Sequence, residues 1–260
     1  MQLRGGTAPD GWGVGGVLGG WWILLPGAYL RATLGQKRKE NLMGIMDAAL
    51  HLAGMQPLKT GRIESEDIFA LRSVANNAFL LPLKAGFLAI DAGNSSRDLQ
   101  EGCAALKISP NKVTDLLLTH GDLDHTGGLD VFPQAQLYIG VRELGEPDAT
   151  GRLITTKGRR LPEGLSRDSF VLLEDGQRLQ IGGREIECIA TPGHSPGQMA
   201  YLIDGKYLFA GDAFKLKNGT PEPHPFSVDA QQSKATIEAL FKRIPEGCLV
   251  LTAHFGMLRT

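Results

Sequence analysis

Short apolar runs separated by turn residues dominate the chain from about residue 64 onward. Runs of this length are typical of strands, whereas apolar residues spaced three and four apart are typical of helices. The predicted strands are residues 68–72, 78–83, 86–91, 113–120, 135–140 and 248–254. Residues 170–176, 178–183, 184–191 and 199–211 together form a second, strand-rich stretch. The predicted helices are residues 38–54, 97–108 and 232–244. This alternation predicts one sheet packed on another, with the helices outside.

The first 60 residues have a different texture. Residues 11–30 carry no charge and contain all three tryptophans, and the basic residues Arg31 and 37–39 follow closely. Twenty apolar residues could span a bilayer, and the basic cluster would keep that side cytoplasmic. Seven glycines and Pro26 weaken this interpretation, so a soluble arm packed on the body and a signal peptide stay open. We therefore divide the chain into an N-terminal segment, 1–60, and a main domain, 61–260.

Composition excludes several classes of protein. The net charge is −1, with 27 basic against 28 acidic residues, so no overall field indicates nucleic acid as a partner. The cysteines are Cys103, Cys188 and Cys248, an odd and scattered set that excludes a disulfide framework. Free cysteines fit a reducing compartment, so we expect a cytoplasmic protein that could attach to the inner face of the membrane.

The densest group of potential metal ligands follows the predicted strand that begins at Val113. His120, Asp122, Asp124 and His125 fall within six residues, and Gly127 and Gly128 come directly after them. Imidazole nitrogens and carboxylate oxygens suit zinc, iron and manganese. A polar surface loop is the alternative explanation when this segment is taken alone.

Three more potential ligands each end a predicted strand. They are His194 in IECIATPGH, Asp212 in KYLFAGD and His254 in CLVLTAH. Functional sites are commonly built from loops on a rigid scaffold, and strand-end loops meet at one edge of a sheet. The four segments together predict a metal site.

The segments THGDLDHTGG, TPGHSPGQ, FAGD and LTAH, with LAIDAG upstream, resemble the metallo-β-lactamase-fold superfamily over roughly residues 64–260. The resemblance implies an αββα sandwich of two mixed sheets with helices on the outer faces. It implies two divalent metal ions, most simply Zn²⁺, with Fe or Mn as alternatives. The implied ligands are His120 and His194 for the first ion, Asp124, His125 and His254 for the second, and Asp212 as a bridge, and we expect Asp122 to complete the first position. Asp91 resembles a buried carboxylate that orients a ligand histidine, although a plain turn residue before Gly93 is the alternative.

One position departs from the superfamily pattern. The usual motif is H-x-H-x-D-H, and Asp122 stands where the second histidine is expected. A carboxylate there can still bind a metal, but it changes the charge and hardness of the first position. It would either favour iron or manganese over zinc or weaken occupancy of that position. Members with this feature include di-iron proteins that reduce oxygen or nitric oxide. Those normally carry a flavodoxin domain after the metal domain, which we do not expect here because the chain ends six residues after His254.

The leading functional hypothesis is a hydrolase in which a metal-bridged hydroxide cleaves an ester, thioester or lactone-like bond of a small molecule. Asp124 is the expected catalytic residue, since it would orient the nucleophile and pass on a proton. The loop after Asp212 supplies the candidate substrate contacts Phe214 and His224. The alternatives are a di-iron redox enzyme, phosphodiesterase or β-lactamase activity, and a catalytically silent metal-binding module tethered at a membrane.

Overall fold

The computed structural model describes residues 36–63 and 66–260, with side chains from residue 44 onward. Its contacts divide the chain into two units, Met1–Met46 and Asp47–Thr260. Residues 11–30 and their predicted membrane contact lie outside the described residues. Within those residues, no helix is long and apolar enough to cross a membrane. Residues 47–60, which the sequence placed with the N-terminal segment, belong to the larger unit, where the Gln56 amide donates to the His254 carbonyl.

Two sheets form the larger unit. The first contains β1 (Gly61–Arg62), β2 (Phe69–Ser73), β3 (Asn76–Pro82), β4 (Phe87–Ile90), β5 (Val113–Leu117), β6 (Gln136–Gly140) and β7 (Phe170–Leu173), in that spatial order. Strands β1 to β4 pair antiparallel, and β4 to β7 pair parallel. The parallel half is joined by crossover connections, which contain α-helices between β4 and β5 and between β5 and β6.

The strands of the second sheet are β8 (Arg178–Ile181), β9 (Arg184–Ala190), β10 (Met199–Ile203), β11 (Tyr207–Gly211), β14 (Leu249–Thr252) and β15 (Met257–Arg259). Their spatial order is β15-β14-β11-β10-β9-β8. Only β11 and β14 pair parallel. A separate hairpin joins β12 (Lys215–Lys217) to β13 (Thr220–Glu222). Both large sheets are therefore mixed, as predicted.

The described residues also form helices. They are α1 (Gln36–Leu52), α2 (Ser96–Leu106), α3 (Leu123–Thr126) and α4 (Ala230–Arg243), with short 3-10 turns at Pro110–Lys112, Leu129–Val131 and Arg167–Ser169. Ser95 and Asp229 cap the N-termini of α2 and α4 through their side-chain oxygens. The two caps fix where the chain turns back onto each sheet.

Three apolar clusters hold the layers together. The central cluster joins the inner faces of both sheets and includes Phe79, Leu117, Tyr201 and Phe209. A second cluster packs α2 against the outer face of the first sheet, and a third packs α4 against the outer face of the second. The αββα sandwich is thereby confirmed. Tyr201 is fully buried, and its hydroxyl donates to the Leu118 carbonyl at 2.6 Å, which ties the second sheet to the segment that leads into His120.

Candidate metal centre

The predicted ligands converge from the ends of four strands. His120 follows β5, His194 follows β9, Asp212 follows β11 and His254 follows β14. Four groups of three residues each offer donor atoms that lie within 4.8 Å of one another inside the group. These groups are His120, His125 and Asp212; His120, Asp122 and His194; Asp124, His125 and His254; and His194, Asp212 and His224. The structure thus brings together all seven side chains that the sequence singled out as ligands.

A compact turn positions the motif that runs from His120 to His125. Asp122 has extended backbone and precedes α3, and the His125 amide donates to the Asp122 carbonyl at 2.9 Å. Gly127 and Gly128 follow because the chain passes too close to its neighbours for a side chain. A Cβ at Gly127 would lie 2.3 Å from the Asn94 carbonyl oxygen. The glycines therefore let the motif pack against the loop after β4.

Each of three histidines uses Nδ1 to contact a fixed acceptor and turns Nε2 toward the centre. His125 Nδ1 lies 2.8 Å from Asp91 Oδ2, and His254 Nδ1 lies 2.9 Å from the Ala75 carbonyl oxygen. His120 Nδ1 lies 3.1 Å from Thr119 Oγ1. The buried Nε2 atoms of His120 and His125 have no hydrogen-bond partner among the described residues. Such an arrangement is typical of histidines that bind a metal through Nε2.

Asp91 sits at the end of β4 with the left-handed φ of 58°. Its Oδ1 accepts the Thr119 amide at 2.8 Å, while Oδ2 faces His125. The carboxylate is buried, so it holds the strand end and the histidine ring at once. This geometry matches the orienting role that the resemblance implied for Asp91.

The electrostatics of the centre favour a bound cation. Burial lowers the pKa of His120 to about 4. Burial opposes ionisation of Asp212, but His254 and its neighbours hold the pKa of that carboxyl well below its usual range. Burial also opposes the charge of His254, yet Asp212 and Asp124 raise the pKa of that ring to about 10. Closely spaced buried carboxylates need positive charge beside them, which metal ions supply.

The two residues predicted to contact the substrate lie in different parts of the structure. His224 is buried at the centre, with Nε2 3.5 Å from Asp212 Oδ2 and its ring centroid 4.7 Å from that of His194. Phe214 is fully buried in the cluster beneath α4, with its ring 5.5 Å from that of Phe241. The structure therefore brings His224 to the site and does not bring Phe214 there.

Two residues at the centre were not singled out from the sequence. Lys157 Nζ lies 2.5 Å from Asp122 Oδ2 and 3.2 Å from His194 Nε2. Glu143 is buried and accepts hydrogen bonds from Ser195 Oγ at 2.5 Å and from the Gly121 amide at 3.1 Å. Burial raises the pKa of Glu143 to about 7. Asp122 in place of histidine is the one sequence signal that a cation is needed nearby, and it does not say which lysine or arginine supplies it.

The family model described as the metallo-beta-lactamase superfamily matches residues 74–251, which include all the strand-end donors except His254. The chain belongs to the metallo-beta-lactamase superfamily, and its histidine–aspartate cluster is able to bind metal.

Similar proteins agree with this assignment. The chain is 32% identical over 149 residues to a hydroxyacylglutathione hydrolase of Yersinia pestis, covering 54% of this chain and 47% of that protein. It is 26% identical over 160 residues to metallo-beta-lactamase domain-containing protein 1 of Xenopus laevis, covering 58% and 59%. The chain therefore spans about half the length of the curated relatives it matches. An archaeal superfamily protein from Sulfolobus tokodaii shares the fold, with TM-score 0.56, 20% identity and coverage of 75% and 82%.

Proposed function

We propose that the protein is a metal-dependent hydrolase that cleaves an ester, thioester or lactone-like bond of a small molecule. The observation that carries this proposal is the set of inward-facing, unpartnered Nε2 atoms and carboxylate oxygens at the strand ends. The relatives named hydroxyacylglutathione hydrolase support a substrate with an acyl group, since by that name they act on an acylated glutathione.

The donors fall into two groups that share Asp212. His120, Asp122 and His194 form the first position, and Asp124, His125 and His254 form the second. Histidine with carboxylate suits Zn²⁺ and also Fe or Mn. When bound by these residues, a divalent cation would supply two effects: a lower pKa for water at the centre and polarisation of the scissile carbonyl.

Asp124 is the side chain best placed to handle the proton. Its side chain is 31% exposed, more than any other carboxylate of the centre, and Oδ2 lies 3.2 Å from His254 Nε2. Burial opposes ionisation of Asp124, but His125 and His254 lower the pKa of the carboxyl below its usual range, so it is ionised at neutral pH. An ionised carboxylate at the open side can orient the attacking water and carry its proton to the leaving group.

His224 would stabilise the negative charge that develops on the substrate. The Phe226 amide donates to His224 Nδ1 at 3.3 Å, so Nδ1 keeps its lone pair and Nε2 carries the hydrogen. Nε2 is buried and has no hydrogen-bond partner among the described residues. A preformed donor aimed into the centre is what an oxyanion requires.

Two exposed apolar side chains are neighbours of residues of the centre. Leu123 is 61% exposed within the metal motif, and Phe226, 67% exposed, has its ring 5.7 Å from that of His224. Exposed apolar residues beside a polar site are typical of contacts with an apolar part of the ligand. This favours an acyl or lactone substrate with a hydrocarbon portion over a phosphodiester.

The test is a substrate panel with the zinc-loaded full-length protein, comparing thioesters, lactones and aryl esters with phosphodiesters and β-lactams. We expect turnover of at least one of the first three classes. The Asp124→Ala and His120→Ala variants should lose activity by a factor of about 100 or more, because each removes a group of the reaction centre. Glu163→Ala, an exposed loop carboxylate, is the control and should keep full activity. Activity of Asp124→Ala equal to that of the wild type would contradict the mechanism.

A further inference from the structure

A tight turn in the loop between β6 and β7 positions Lys157 at the centre. The Gly158 amide donates to the Thr155 carbonyl at 2.8 Å, and the Thr156 amide donates to the Glu143 carbonyl at 2.8 Å. A Cβ at Gly121 would lie 2.3 Å from Thr155 Cγ2, so the turn packs directly on the metal motif. The backbone that carries Lys157 is therefore fixed from several sides.

The ammonium group of Lys157 is enclosed. Its side chain is 9% exposed, and Nζ lies 2.5 Å from Asp122 Oδ2 and 3.2 Å from His194 Nε2. These two atoms belong to the first position and lie 3.2 Å from each other. Lys157 thus contacts two of the three side chains that would hold a cation there.

Lys157 and a metal ion compete for the same electron pair. An imidazole nitrogen has a single lone pair in the plane of its ring, so His194 Nε2 can accept from Lys157 or bind a metal, but not both. Asp122 Oδ2 likewise accepts a hydrogen bond from the ammonium group of Lys157, and this is the oxygen that faces the first position. Like charges at such short range also repel, which further disfavours simultaneous occupation.

The second position has no such competitor. Asp124 and Asp212 have only histidines as ion-pair partners among the described residues. With His125 and His254 these carboxylates offer two oxygens and two imidazoles, enough for a tetrahedral or open site. The first position therefore already contains the ammonium group of Lys157, whereas the carboxylates of the second position pair only with histidines among the described residues.

We propose that Lys157 occupies the first metal position as a built-in cation, so that the resting protein binds one divalent metal tightly, at Asp124, His125, His254 and Asp212. The Asp122–Lys157 pair replaces the histidine–metal pair of the usual motif. This inference rests on the proposed function, since it assumes that the second position binds metal.

The experiment measures zinc stoichiometry and affinity of the full-length protein, stripped with a chelator and reloaded, by calorimetry and by elemental analysis after gel filtration. We expect one tight equivalent for the wild type and two for Lys157→Met, with second-equivalent affinity at least tenfold higher in the variant. Lys157→Arg keeps the charge and should keep a single tight equivalent. Lys242→Met, at an exposed lysine of α4, is the matched control and should behave like the wild type.

Two tight equivalents in both the wild type and Lys157→Met, with equal affinities, would overturn the inference and leave the proposed function intact. No tight zinc in any of the proteins would instead count against the proposed function itself. The two failures are therefore distinguishable.

A second measurement needs no variant, so it holds even if Lys157→Met fails to fold. Acetylation of Lys157 in the wild type is followed by peptide mass spectrometry at zero, one and excess equivalents of zinc, with Lys242 as the reference. We expect Lys157 to stay protected through the first equivalent and to become severalfold more reactive only in excess zinc. A severalfold rise at the first equivalent would show that the tight metal displaces Lys157, against the proposal.

Discussion

Asp91 Oδ2 lies 2.8 Å from Nδ1 of His125, and the same carboxylate accepts the Thr119 amide. One buried side chain thus fixes both the end of β5 and the orientation of a histidine ring. The proton that Asp91 holds on Nδ1 leaves the Nε2 lone pair free for a metal.

Asp91→Asn should weaken metal binding while keeping the fold, because asparagine can still accept the Thr119 amide but loses the charge opposite His125. We expect zinc affinity to fall by about 10- to 100-fold, the usual effect of removing such a support. Competition with a chromophoric chelator measures it. Asp115→Asn, on β5 and outside the centre, is the control. Unchanged affinity in Asp91→Asn would show that His125 does not depend on this carboxylate.

His224→Ala tests whether His224 is a donor to the substrate or a metal ligand. Because its Nδ1 accepts from the Phe226 amide, we expect metal content to be unchanged and kcat to fall by about 10- to 1000-fold, as for loss of an oxyanion donor. Steady-state kinetics and elemental analysis on the same preparation separate the two roles. Loss of bound metal in His224→Ala would assign the ring to the metal instead.

Glu66 makes stability depend on acid pH. Hydrogen bonds from Lys206, Tyr207 and Arg259 lower the pKa of Glu66 to about 2 from 4.5. Between these values the unfolded chain binds more protons than the folded one, so this contribution is complete above pH 4.5 and is lost as pH falls toward 2. Discounted for the half-exposed Lys206, it amounts to about 1 to 2 kcal/mol.

Urea unfolding of metal-free wild type and Glu66→Gln between pH 2.5 and 7 measures this contribution. The difference in unfolding free energy should be largest near neutrality and should shrink toward pH 2.5. Glu101→Gln, in an exposed pair with Arg97, should show little difference at any pH. A difference between wild type and Glu66→Gln that does not vary with pH would refute the assignment.

The membrane prediction for residues 11–30 has a direct optical test, because Trp12, Trp21 and Trp22 are the only tryptophans of the chain. If this segment enters a bilayer interface, adding vesicles that contain anionic lipid should shift tryptophan emission to the blue, as expected for rings at that interface. Neutral vesicles control for the basic cluster. Emission that does not respond to either vesicle would favour a soluble arm.

The longer strands and helices were largely predictable, because each contains enough residues to show an apolar run or a helical spacing in the sequence. Residues 78–83 lie mostly in β3 and residues 232–244 in α4, as the pattern predicts. The short elements β12, β13, β15 and α3 were not predicted, since three or four residues carry no period. Strand 113–120 ends early, at Leu117, because the backbone leaves the sheet to form the motif turn.

The ligands were predictable because each follows an apolar run in the chain, whereas their partners were not. Lys157 reaches Asp122 only through the fold of the β6–β7 loop, and nothing local marks it among the basic residues. Phe214, in contrast, was predicted at the site and lies elsewhere. An aromatic residue two positions after Asp212 looks available to a substrate, but its backbone turns it into the core beneath α4. Side-chain direction in loops depends on packing that a single sequence does not reveal.

The centre takes its donors from both sheets, with His120 and His125 after β5 and with His194, Asp212 and His254 after strands of the second sheet. During synthesis the first sheet can pair long before β14 has left the ribosome. A complete set of donors therefore exists only once both sheets have formed, so the proposed metal positions depend on the pairing of strands from both halves of the sandwich.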